Sequence, residues 1–513
     1  MKKTFIKKNR IDSKNFGRYF GLLLFLLILF FCDFESSNKM ITRMSAVAVL
    51  MATWWITDAI PLFATALLPL ILFPLLGIQS GKATAPIYIN STIFLFIGGF
   101  MIALVMEKWN LHKRIALLII NAIGSSPSKI TLGFLLSSAF LSMWISNTAT
   151  AIMMMPIGLS IILKIEEEFG KNKTHKFSVG LLLSIAYGCS LGGIATLVGT
   201  PPNLSFSRIF QITFPNAEVI SFSQWLMVGL PISIIMIFIV WFLITKVFYK
   251  SSKNIFIEKK LIANELKKLG KISFEEKAVL IVFISTALLW IFRKKIDLSF
   301  LLIPGWSEIL PFPKFIDDGT VAIFMAFIMF FIPAKSSVSK EKIMGVDILK
   351  KLPWEIVLLF GGGFALAKGF QVSGLSQFIG QQFSSFNSIS PLIIIIFISL
   401  TITFLTELTS NTATTEMILP VIASVAVALQ INPLLLMIPA TISASCAFMM
   451  PVATPPNAIV FGSNRLKISE MAKIGILINL LGVIIISLLF YFLSTQILGI
   501  DINTFPNWAN FVK

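Results

Sequence analysis

Apolar residues in this chain run in long blocks separated by short polar segments, rather than recurring at the spacing of a helix with one wet face. About eleven blocks have the roughly 20 residues that cross about 30 Å of hydrocarbon. They centre near residues 25, 50, 70, 98, 192, 235, 285, 325, 362, 445 and 480. Two other stretches are too long for one span. Ile130 to Leu163 carries no charge over 34 residues, about 51 Å as a straight helix. A hairpin that enters the bilayer and returns fits better, at about 130–163 and again at about 392–425. Backbone turning at that depth is tolerated only inside protein or beside a cavity. The expected fold class is therefore an all-α polytopic membrane protein, with about eleven transmembrane helices plus two re-entrant hairpins.

Composition agrees: 56% of the 513 residues are hydrophobic, 13% are charged and 48 are Phe, which excludes an ordinary water-soluble globule. The net charge of +18 would suggest nucleic acid in a soluble protein. Here its placement matters more. Basic residues cluster in alternate loops: Lys2, Lys3, Lys7, Lys8, Arg10, Lys14 and Arg18, then Lys108 to Arg114, Lys164 to Lys176, Lys246 to Lys277, Lys335 to Lys351 and Arg465 to Lys473. The positive-inside rule puts all of these on the cytoplasmic face of the inner membrane and the tail 501–513 outside. The apolar run Tyr19 to Cys32 lacks a small-residue cleavage site, so residues 1–40 read as a cytoplasmic tail and uncleaved first span. Cys32, Cys189 and Cys446 have neither pairing nor metal spacing.

The chain repeats itself. Phe96-Ile97-Gly98-Gly99-Phe100 returns as Phe360-Gly361-Gly362-Gly363-Phe364, and Ser146-Asn147-Thr148-Ala149-Thr150 as Ser410-Asn411-Thr412-Ala413-Thr414, both displaced by 264 positions. Thr200-Pro201-Pro202-Asn203 returns as Thr454-Pro455-Pro456-Asn457, displaced by 254. The ten-residue difference is assigned to a charged loop, Lys164 to Lys176. Three matches in the same order indicate a duplication. One copy covers 41–248, with a broken helix at about 178–210. The other covers 276–500, with its break at about 434–462. The basic segment 249–275 links them, and its apolar Phe256, Ile262, Leu266 and Leu269 suggest an interfacial helix. An odd number of spans separates equivalent points, so the copies are inverted relative to one another, as in many secondary transporters.

Each hairpin tip leaves free carbonyls where one half-helix ends and free N–H groups where the next begins. Carbonyl, Ser and Asn oxygens are hard ligands suited to alkali cations, and the positive ends of half-helices suit anions. At Pro201-Pro202 and Pro455-Pro456 a helix must break, because two N–H donors are lost. An ordinary polar turn or a structural proline kink would explain a single copy; duplication favours a site. Neither motif contains Arg, Lys or His. A bound dianion would therefore need co-bound cations and helix dipoles, since an unpaired charge in a low-dielectric site is costly.

At these residues, and at Trp54-Trp55-Ile56-Thr57-Asp58-Ala59-Ile60-Pro61, the chain resembles the divalent anion/sodium symporter family of dicarboxylate, citrate and sulfate carriers. The resemblance covers nearly the whole length. It implies a homodimer of scaffold and transport domains, the latter sliding like an elevator, with Na+ as the coupling ion. It places one sodium site on Ser142, Ser146, Asn147 and Gly199, and a second on Thr406, Thr409, Asn411 and Ala453. It places the carboxylate substrate on Ser146, Asn147, Thr148, Thr200, Pro201, Ser410, Asn411, Thr412, Thr454 and Pro455. Asp58, where such carriers often have Glu, and Glu416, beside the second hairpin, depart from the pattern. Glu416 reads either as a solvated or paired helix residue or as a proton-linked group. His112 and His175 read as loop residues.

Sodium-coupled uptake of C4-dicarboxylates such as succinate, malate or fumarate is the leading expectation. A sodium-independent dicarboxylate or citrate exchanger and a sulfate carrier are the alternatives of the same fold. An ion channel would give unsaturable flux. A membrane enzyme finds no nucleophile and base set, metal cluster or phosphate loop in the sequence.

Overall fold

The computed structural model describes residues 13–250, 259–297, 302–335, 342–383, 389–502 and 504–510. Lys2, Lys3, Lys7, Lys8, Arg10 and Phe256 lie outside them. Among the described residues, nine helices are long and apolar enough to cross a membrane. β-structure there is limited to a two-residue ladder, Ile296–Asp297 with Leu302–Ile303, and one isolated bridge.

The first half contains α1 (Ser13–Phe31), α2 (Lys39–Thr57), α3 (Leu62–Thr65), α4 (Leu68–Leu75), α5 (Gly81–Thr84) and α6 (Ser91–Lys108). It continues with α7 (Leu111–Ile123), α8 (Pro127–Ser142), α9 (Asn147–Phe169), α10 (Lys171–Ile194), α11 (Pro201–Thr213) and α12 (Phe222–Phe242). The linker holds α13 (Lys259–Lys268), packed against α7 with Ile262 buried. The second half runs through α14 (Phe274–Ile291), α15 (Asp318–Ile328), α16 (Ile348–Lys351), α17 (Trp354–Ser373) and α18 (Leu375–Phe383). It ends with α19 (Pro391–Leu405), α20 (Asn411–Ala428), α21 (Pro433–Ala444), α22 (Pro455–Phe461) and α23 (Ile468–Leu498).

Local chemistry sets many of these boundaries. Proline occupies the first turn of α8, α11, α19, α21 and α22, where its missing N–H costs nothing. Ser221 with Gln224 and Ser273 with Glu276 form capping boxes that start α12 and α14. The expected charged loop at Lys164 to Lys176 is instead the meeting of two helices. α9 runs to Phe169, α10 begins at Lys171, and Gly170 turns the chain at φ 84°. The first copy's extra residues therefore lengthen helices. A bidentate ion pair holds that end: Arg465 Nε lies 3.1 Å from Glu166 Oε1, and Nη2 3.0 Å from Oε2. The Glu166 carboxylate also raises the affinity of the Arg465 guanidinium for its proton.

α10 is buried on all sides from Phe177 onward, the position of a helix that is apolar all round. It packs on both limbs of the first hairpin, α8 and α9, and on α22 of the second half. The halves interlock reciprocally: α11 lies against α20 and α22 against α9. A smaller separate cluster of buried apolar residues gathers α2, α4 and α17 through Met44, Val47, Trp55, Phe73, Leu366 and Phe370.

Candidate functional site

The first hairpin turns at Met143–Ser146 and the second at Thr406–Ser410. Both returning limbs begin alike, with the Ser146 hydroxyl accepting from Ala149 N at 3.2 Å and the Ser410 hydroxyl from Ala413 N at 3.5 Å. Serine caps suit these starts, because each satisfies one otherwise free N–H.

Around the first tip, Ser142 Oγ donates to Asn147 Oδ1 at 2.5 Å. A methyl group built on Gly193 would meet Asn147 Oδ1 at 2.9 Å, the Gly199 carbonyl oxygen at 3.2 Å and Thr200 Cβ at 3.2 Å. Asn147, Gly199 and Thr200 thus converge on a spot that only glycine leaves open. Thr196 Oγ1 ties the break to the tip by donating to Met143 O at 2.5 Å. Ser146, Asn147 and Thr148 are half-buried, as is Pro201, while Ser142, Gly199 and Thr200 are buried.

The second tip repeats the arrangement with different residues. Thr406 Oγ1 lies 2.6 Å from Asn411 Oδ1 and 3.0 Å from the Ala444 carbonyl, and Thr409 pairs with Thr414 at 2.6 Å. Thr454 Oγ1 caps α22 by accepting from Asn457 N at 3.3 Å. Ser410 and Asn411 are half-buried, Thr406, Thr409, Thr412, Ala453 and Thr454 buried, and Pro455 exposed. In each half the asparagine oxygen, a neighbouring hydroxyl and the break form one oxygen-rich corner. Such a donor set fits a hard monovalent cation.

One contact relates the half-sites. The Ser205 hydroxyl on α11 donates to Glu416 Oε1 on α20. Both residues lie in the first two turns of helices that start at the first break and the second tip. About 6 Å and 7.5 Å of helical rise separate that contact from Pro201 and Asn411. The positive ends of α11 and α20 therefore lie in one region. Glu416 itself is fully buried, so the solvated reading fails, and its Oε1 is paired with the Ser205 hydroxyl.

Several functional contacts were not anticipated from the sequence. Glu407 collects three successive backbone amides at the second break, and Asn203 and Asn457 span both breaks. The repeat spacing itself pointed to the asparagines. The histidines are helical rather than in loops: His112 Nδ1 sits 3.0 Å from Met106 O, and His175 Nε2 2.8 Å from Glu470 Oε1.

A helical membrane protein with duplicated hairpins and broken helices belongs to the class of secondary transporters. The family model described as "Sodium:sulfate symporter transmembrane region" matches residues 13–499, and the chain belongs to that family. It is 43% identical over 508 residues to the sodium-dependent dicarboxylate transporter SdcS of Staphylococcus saprophyticus, covering 97% of this chain and 96% of the relative. It is 44% identical over 502 residues to SdcS of Staphylococcus aureus strain MRSA252, covering 97% and 94%. Among solved structures, it is similar in fold to the Alcanivorax borkumensis YdaH transporter, with a TM-score of 0.55, 11% identity and coverage of 95% and 99%. Neisseria gonorrhoeae MtrF gives a TM-score of 0.54, 14% identity and coverage of 91% and 96%.

Proposed function

We propose that this protein carries C4-dicarboxylates across the plasma membrane together with sodium. The observation that carries the proposal is the pair of oxygen-rich corners, Ser142, Asn147 and Gly199 in one half and Thr406, Asn411 and the Ala444 carbonyl in the other, to which we add the Ala453 carbonyl by the repeat. Sodium binds at these corners with Ser146 and Thr409. The dianion lies against Ser146, Asn147, Thr148 and Thr200 from one side and Ser410, Asn411, Thr412 and Thr454 from the other, with Pro201 and Pro455 shaping the walls. The near-full-length likeness to proteins named sodium-dependent dicarboxylate transporters supports the substrate class and the coupling ion.

Physically, sodium comes first. The free carbonyl ends of α8, α10, α19 and α21 attract a cation, and the bound charges then offset the cost of bringing in a dianion. Binding of either species strengthens binding of the other by the same factor, which links substrate movement to sodium movement. The protein works as a homodimer with a sliding transport domain built from the two hairpins and two broken helices. Its N-terminus is cytoplasmic and its C-terminus external, as the basic clusters imply.

Uptake of labelled succinate into proteoliposomes tests the reading. Saturable uptake that requires an inward sodium gradient is expected. Equal uptake in choline medium with succinate inside would instead make the protein an exchanger.

A further inference from the structure

Asn203 is the third residue of α11 and Asn457 the third of α22, and both side chains are fully buried. Asn203 Nδ2 donates to the Gly193 carbonyl at 3.1 Å and the Thr196 carbonyl at 2.7 Å. Asn457 Nδ2 donates to the carbonyls of Ala447 and Met450, both at 3.1 Å. Gly193 matches Ala447, and Thr196 matches Met450, at the same displacement of 254 positions that relates the asparagines. The two amides therefore make the same bonds in both copies, although the residues they grip differ.

In the first copy these carbonyls lie at the end of α10 and just beyond it; in the second both lie in the loop that follows α21. Each asparagine sits on the helix after the break and reaches back across it. The loop carrying Gly199 in one copy, and Ala453 in the other, is thereby closed into a ring. The first ring is tight enough that a methyl group on Gly199 would meet the Gly193 carbonyl oxygen at 2.5 Å. The other end of each amide does nothing comparable: Asn203 Oδ1 and Asn457 Oδ1 are both buried without a hydrogen-bond partner. A buried polar atom left unpaired is destabilising. In both copies every hydrogen bond this side chain makes comes from its two N–H donors. Serine offers one donor, aspartate none.

We infer that Asn203 and Asn457 are positioning residues, one for each cation corner, that hold the loop carbonyls of Gly199 and Ala453 ready for sodium; this rests on the placement of sodium proposed above. A ligand frame that is fixed before the ion arrives loses less on binding than one that must be ordered by it. Without the clamp, the lost order appears as weaker sodium binding at the affected corner. The substrate follows at second hand, through its coupling to sodium.

The test is thermal unfolding of purified full-length protein across a sodium chloride series balanced with choline chloride. Asn203→Asp, Asn203→Ala, Asn457→Asp, Asn457→Ala and Asn147→Ala are compared with the wild type. The clamp variants are expected to raise the half-saturating sodium concentration about tenfold and to flatten the sodium dependence, because one corner fails while the other persists. A lower melting temperature in choline with an unchanged sodium midpoint and slope would make the asparagines merely structural and overturn the inference. If Asn147→Ala keeps the full sodium response of the wild type, the placement of sodium fails and the inference falls with it, a result separable from failure of the clamp alone. If the Asn203 variants do not fold, the Asn457 variants carry the same test.

Discussion

Gly363 on α17 lies so close to Glu416 on α20 that a methyl group at Gly363 would land among the carboxylate atoms of Glu416. Glu416 Oε1 accepts the Ser205 hydroxyl, while Oε2 is buried without a partner. Three helices, α11, α17 and α20, thus approach one another at a glycine and an acid. Gly363→Ala must displace the buried Glu416 side chain or part α17 from α20, and overpacking of this kind costs about 1–3 kcal/mol. Uptake and melting temperature should both fall. Removing the carboxylate makes room, so Gly363→Ala with Glu416→Ala should lose less than the sum of the single changes. A double-mutant cycle on melting temperature measures this, and strictly additive losses would count against the contact.

Asn147 and Asn411 should each be indispensable. Each oxygen pairs with a hydroxyl five residues earlier, Ser142 or Thr406, at the turn of its hairpin. In the site proposed above, replacing either by Ala removes an oxygen from a cation corner and a contact from the substrate side. Asn147→Ala and Asn411→Ala should each abolish succinate uptake while the protein still reaches the membrane in normal amount. Normal uptake by both variants would show that the tips are not the site.

Much of this arrangement could be read from sequence, for a physical reason. Hydrocarbon demands long apolar runs, and a duplicated motif at fixed displacement marks equivalent places, so Ser146, Ser410 and the paired prolines stood out. Glu416 stands out in the sequence as an acid beside the second hairpin, but the partners of Glu416 and Glu407 do not, because those partners come from distant segments. Phe448, Met449 and Met450 act through backbone N–H groups that carry no trace in residue type. Ser205 resembles any other helical serine until α11 meets α20. The segment Lys164 to Lys176 was expected to be a loop from its charge. Charge marks exposure to water, and helices extending beyond the bilayer meet that requirement equally well.

The linker should depend on one buried ion pair. Arg114 on α7 places Nε 2.9 Å from Glu276 Oε1 and Nη2 3.0 Å from Oε2, and donates to the carbonyls of Gly270 and Leu269 at 3.0 and 3.3 Å. Glu276 also caps α14 through Ser273 N at 2.8 Å. Removing one partner of a buried pair strands the other charge, at a cost of about 3–5 kcal/mol. Glu276→Ala should therefore lower the melting temperature sharply, whereas changing both Arg114 and Glu276 to Ala should cost less than the two single losses combined.

Glu407 gives the second break an anchor that the first lacks. Its Oε1 accepts from Phe448 N at 2.7 Å, Met449 N at 2.8 Å and Asn479 Nδ2 at 2.7 Å, and its Oε2 accepts from Met450 N at 2.9 Å. Three consecutive amides curled around one carboxylate make an anion nest, here filled by the protein's own side chain. The equivalent position in the first copy is Met143, which takes part only through its carbonyl, accepting from Thr196. Hydrogen bonds to a charged acceptor contribute about 1.5–3 kcal/mol each. Glu407→Gln keeps the shape but replaces one acceptor with an NH2 group that faces donors. It should lower the melting temperature and impair uptake most at low sodium, since the loop it releases carries Ala453. Met143→Leu, at the matching position, should leave both measurements near wild type because no side-chain bond is lost there. Equal effects of the two substitutions, or a Glu407→Gln protein with wild-type melting and uptake, would mean that the second break holds its shape without the carboxylate.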